Sequence, residues 1–126
     1  MFQLRFASLL LTLPALLLGN FAWSHHGWDW AEKELSELKG IVKAVNMSPP
    51  HPRLDVETPE NEVWRIELGN PSQTKQAGFT ADSAKPGDQV HALGNRSRDP
   101  NEKRLKAVRI TVGDKTYDIY PNRIPR

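Results

Sequence analysis

Four histidines hold most of the metal-binding chemistry available to this 126-residue sequence, and they are unevenly placed. His25 and His26 are adjacent, His51 lies in a proline-rich stretch, and His91 falls in an alternating segment. If proteolysis made His25 the first residue, its free α-amine and an imidazole nitrogen would together chelate one metal ion. Neutral imidazoles from His26 and His51 would complete a nitrogen-rich site for Cu(II), or failing that Zn(II) or Ni(II). Square-planar coordination would select copper or nickel, tetrahedral coordination zinc. Adjacent histidines at a solvated terminus also bind metals weakly in almost any context, so the pair alone does not make a site. There is no cysteine. That removes disulfides, thiolate catalysis, cysteine-held zinc and iron–sulfur clusters, and the lipid attachment of a bacterial lipoprotein.

Aromatic residues are the second candidate set. Trp28 and Trp30 are two apart and share a direction only if the chain there is extended. They would either pin the segment to the body of the domain or contact a partner or glycan. Trp64 alternates in phase with Ile66 and Leu68, which reads as core. The sequence contains no glycine-rich phosphate loop, nucleophile elbow or His-Glu-x-x-His. A Ser48, His51, Asp55 triplet can be written down, but composition alone yields such triplets often. The expectation is a binding module without catalysis.

These residues follow a segment built for export. Residues 1–24 (MFQLRFASLLLTLPALLLGNFAWS) have Arg5 as a short positive region, an apolar run from Ala7 to Leu18, and small residues at Ala22 and Ser24. This is the anatomy of a secretory signal cut before His25, with Ala22 and Trp23 as alternative ends. A run of about 12 apolar residues broken by Pro14 is short of the roughly 20 that a membrane helix needs, so no span is expected after cleavage. The expected location is the periplasm or the extracellular medium. The formal net charge is +2 with Arg5 included, so the processed chain is close to neutral. That disfavours nucleic acid as a partner and leaves a metal ion or a periplasmic protein.

About 100 residues remain, enough for one domain. Residues 25–37 read as an arm, with either a short helical turn over 30–35 or no regular structure. Residues 38–120 read as a barrel. Leu38 to Val45 alternates, with Leu38, Gly40, Val42 and Ala44 on one face. Met47–Pro52 is a proline-rich connection. Segments 53–58 and 62–68 form a hairpin, with Leu54, Val56, Trp64, Ile66 and Leu68 inward. Asn70-Pro71 starts a short helix that Gly78 ends. Segments 89–94, 105–112 and 115–120 are strands, with His91 turned outward, and residues 121–126 read as a frayed tail. The charged residues read as a solvated surface. Five or six short strands with a helix between the third and fourth predict a mainly β, Greek-key barrel of the OB type.

Several motifs occur in a characteristic order: His25-His26 after the signal, Leu38-Lys39-Gly40-Ile41-Val42, Pro50-His51, and Trp64 through Glu67-Leu68-Gly69-Asn70-Pro71. Gly78-Phe79-Thr80 and Lys85-Pro86-Gly87-Asp88 follow. In these the chain resembles the bacterial exported family catalogued as domain of unknown function 6152. It departs from it at Gly27-Trp28, where the family tends to read Ser-Phe, and at Pro49, where it tends to read Asn. The resemblance implies export and fold without naming an activity, and it draws attention to His25, His26 and His51 as a set.

Overall fold

The computed structural model describes residue 3 and residues 27–126. Six strands form one sheet: β1 (Ser36–Asn46), β2 (Arg53–Glu57), β3 (Val63–Glu67), β4 (Gln89–Arg96), β5 (Arg104–Val112) and β6 (Lys115–Asp118), with α1 (Pro71–Gln76) between β3 and β4. The order is β3-β2-β1-β4-β5-β6, and a parallel pairing of β3 with β5 closes the first five strands into a barrel. The sixth extends the sheet as a hairpin partner of β5. This is the OB topology that the strand order predicts. Among the described residues, no helix is long and apolar enough to cross a membrane.

Alternation puts Leu38, Val42, Leu54, Val56, Ile66, Val90, Ala92 and Ile110 inside, and each is nearly or wholly buried. The phase breaks once in β1. A bulge between Val42 and Ala44 turns Ala44 outward and brings Val45 against the core, so the expected inward Ala44 is replaced by its neighbour. Trp64 is partly buried on the core, its indole N–H donating to Glu62 at 3.2 Å and its ring covered by Arg96. The helix starts as expected. The Asn70 side chain accepts from the Gln73 N–H at 2.8 Å, Pro71 occupies the first turn, and Gly78 follows the helix at φ +87°. Phe79, just beyond, is buried and meets Tyr117 edge-on.

Closure of so small a barrel demands close backbone approach where β1 passes from β4 to β2. There Gly40 faces the Glu57 carbonyl and Val56, with no room for a Cβ. Gly94 sits in the same way against the Lys106 carbonyl. Gly40→Ala is expected to lower stability by about 2 kcal/mol or more, the range for overpacking a filled interior. Urea unfolding followed by tryptophan fluorescence measures it, and an unchanged midpoint would contradict the tight crossing.

Candidate functional site

The arm is irregular but firmly attached. Residues 27–30 form a turn, and Ala31 makes an isolated bridge with Ser97. Glu32 N–H donates to the Arg96 carbonyl, and Arg98 N–H to that of Trp30. The Asn95 amide spans the Lys33 and Glu34 carbonyls. The arm therefore lies along the end of β4 and the start of the β4–β5 loop.

There it meets a matched pair of cations. Arg104 and Lys106 are two apart on a strand and so project from one face, and the turn at residues 27–30 brings Trp30 and Trp28 to them. The Arg104 guanidinium lies 3.6 Å from the Trp30 ring centroid, and the Lys106 ammonium 5.1 Å from that of Trp28. Arg123 covers Trp28 at 3.7 Å, and Tyr120 packs against Trp28 edge-on at 4.9 Å. The tail is thus not frayed over its length: Pro121–Arg123 form a single helical turn that returns Arg123 to the arm.

Beneath the arm lies a carboxylate. Glu67 is 8% exposed, pairs in register with Lys106 across β3 and β5, and accepts three hydrogen bonds of 2.8 to 3.1 Å from Arg104. Lys106 is 1% exposed. Both occupy outward positions and were expected to be solvated; the arm buries them. Burial pushes the Lys106 ammonium below its ordinary range, Glu67 opposes this, and Arg104 and Arg123 reinforce it.

His51 stands at the edge of the same cluster. The Leu68 N–H donates to the Pro52 carbonyl at 2.8 Å, which fixes the β1–β2 loop against the end of β3. The imidazole is half-buried, and its Nδ1 is wholly shielded without a hydrogen-bond partner. Burial first, then the charge on Lys106, depress its basicity against the opposing pull of Glu67 and the Gly69 backbone. Burial thus favours the neutral ring, which carries one nitrogen lone pair for a metal or a proton donor. His25 and His26 lie outside the described residues. The chain just after them does not: the position a Cβ would take on Gly27 is 3.5 Å from Lys106 Nζ. Among the described residues no three metal-ligating side chains converge, so any metal at His51 would need ligands from elsewhere. His91 is on the far part of the barrel, half-exposed, with Nε2 3.6 Å from a Glu37 oxygen.

A family model described as a family of unknown function, DUF6152, matches residues 15–107. The chain belongs to this family. In this DUF6152 member the match runs through β1 to β4 and reaches the Arg104 and Lys106 positions. None of the curated proteins matches it. Among solved structures it is similar to a chain of the S. pombe Stn1-ten1 complex, at 20% identity and a TM-score of 0.51, over 64% of this chain. The DUF6152 chain spans 59% of that chain's length, and the likeness concerns the fold alone. It also aligns with the S. cerevisiae mitochondrial single-stranded DNA binding protein Rim1, at 14% identity and a TM-score of 0.46, over 64% of this chain and 94% of that one.

Alternation made Trp64 legible, but it could not show that Glu67 and Lys106 are covered. The only advance signal was the shared spacing of two between Trp28/Trp30 and Arg104/Lys106. Arg104→Ala should destabilise the protein by about 3 kcal/mol, because it leaves Glu67 buried with its main partner gone. Glu67→Leu combined with Arg104→Met should recover most of that loss in urea unfolding. A single variant as stable as the parent would show that the carboxylate is not held by this pair.

Proposed function

We propose that the chain is an exported, non-enzymatic binding module of the periplasm that takes a transition-metal ion, Cu(II) foremost. The ligands would be the α-amine and imidazole of His25 together with the imidazoles of His26 and His51. The observation that carries the reading is the Nδ1 of His51: buried and without a hydrogen-bond partner in a protein where such nitrogens ordinarily find one. Gly27, which directly follows the histidine pair, is seated in the same cluster, so the pair starts one peptide bond from it.

The electrostatics bear on which ion. Arg104, Lys106 and Arg123 surround the cluster, and Glu67 is the carboxylate set against them. The positive charges there outnumber the negative one, so they oppose a divalent ion. It must be held by strong nitrogen donors, and that favours Cu(II) over Ni(II) and Zn(II) in the usual order of affinities.

Nucleic acid fits this surface poorly. The outward positions of β2 and β3 are Arg53, Asp55, Glu57, Val63, Arg65 and Glu67, of mixed charge and without an aromatic ring for stacking. Trp28 and Trp30, the candidates for contacting a protein or glycan, already have Arg123 and Arg104 on their faces. That engagement favours seating the arm over capturing a partner.

The test is calorimetric titration of Cu(II) into protein whose terminus is shown by intact mass to be His25. His51→Gln and His25→Ala should each weaken binding at least about tenfold, as loss of a ligand requires. Affinity should fall from pH 7.5 to 5.5 as protons compete for the amine and imidazoles. Equal affinity in all three proteins would remove the site.

A further inference from the structure

Among the described residues, four buried side-chain polar atoms lack a hydrogen-bond partner: His51 Nδ1, Arg53 Nε, Thr58 Oγ1 and His91 Nε2. They divide by position. The first two lie where β2 begins, beside the cluster already described. The other two line one groove beyond the opposite end of β2, between the outer faces of β1, β4 and β5 and the β2–β3 turn.

The groove has a volume of about 520 Å³, within the range of sites that enclose small organic ligands. Its geometry is fixed by backbone. Thr58 N–H donates to the Glu62 carbonyl at 2.8 Å and Asn61 N–H to that of Thr58 at 2.9 Å, with Asn61 at φ +63°. This turn holds the Thr58 side chain, which is 8% exposed, in the groove wall. His91 is flanked in register by Lys39 on β1 and Thr111 on β5, which also line the groove. Ile41, one of two exposed large hydrophobic residues among those described, lies alongside with Pro59.

We infer that this groove binds a neutral polyhydroxylated ligand of sugar size. The Thr58 hydroxyl, which has no partner, and the His91 Nε2, which has only a Glu37 oxygen at 3.6 Å, call for groups that both donate and accept. Ile41 and Pro59 supply an apolar surface for the C–H face of a ring. Lys39 and Glu57 line the groove with formal charges of opposite sign, and Glu57 is also paired with Lys43 at 3.7 Å. The site shares no residue with the metal reading and stands without it.

The test is a titration of the ¹⁵N-labelled protein with glucose, N-acetylglucosamine and maltose, and with glucuronate as the charged counterpart. Saturable amide shifts confined to residues 39–41, 58–61, 89–91 and 111–113 are expected with at least one neutral sugar. Thr58→Val should weaken that binding about tenfold, the worth of a hydrogen bond made only with ligand. Its thermal midpoint should stay level or rise, since it removes an unsatisfied hydroxyl, and Thr58→Ser should restore binding. Three results would each overturn the inference: no saturable shift with any neutral sugar, undiminished binding by Thr58→Val, or binding of glucuronate alone.

Discussion

A carboxylate that a strand places on the outside of a barrel, and that is then shut away from water, must find positive charge at once. Glu67 is in that position, and the architecture around it follows from the requirement. Arg104 supplies the hydrogen bonds and, once fixed by them, presents a flat guanidinium to the Trp30 ring. Seating Trp30 places Trp28 over Lys106, and Trp28 in turn receives Arg123 and Tyr120 from the end of the chain. Two segments at opposite ends of the described chain are thereby held to one short stretch of β5. Remove the guanidinium, and the carboxylate and the indole lose their partner together.

Much of the fold was legible because a small barrel has one interior, and its strands must show that interior a single face. The period-two pattern in 38–45, 53–58 and 62–68 located strands to within a few residues, and Asn70-Pro71 marked the helix start. The same pattern failed at Ala44, because a bulge inserts a residue without any compositional sign. It also misjudged Glu67 and Lys106. Alternation reports which side of a strand a residue takes, but not whether another segment lies over that side. The arm that covers them, rich in charge and aromatic rings, has no period to read. Arg123 was missed for a related reason: a single turn following Pro121 leaves almost no trace in six residues.

The position of the arm bears on what the fold can do here. Barrels of this topology commonly bind ligands across strands 2 and 3 and between the β1–β2 and β4–β5 loops. In this chain the arm forms a bridge with Ser97 and is hydrogen-bonded to Arg98 in the second of those loops, and its Gly27 lies by Lys106. A segment of the protein itself therefore occupies part of the surface that other barrels leave open.

The unpaired buried polar atoms among the described residues are gathered in a few places. A folded chain of this size could satisfy them cheaply, since small rotations or a different residue would do so, and an unsatisfied buried group costs about 1–3 kcal/mol. Their placement is not that of random packing defects. All four lie at the two ends of β2 or across the sheet from its far end, and the strand's hydrophobic middle, Leu54 and Val56, is fully buried. Both ends adjoin loops, where the backbone need not serve the barrel and side chains are free to face a ligand. The barrel thus acts as a rigid spacer: its hydrophobic core holds the two ends of β2 apart, with His51 before one end and Thr58 after the other.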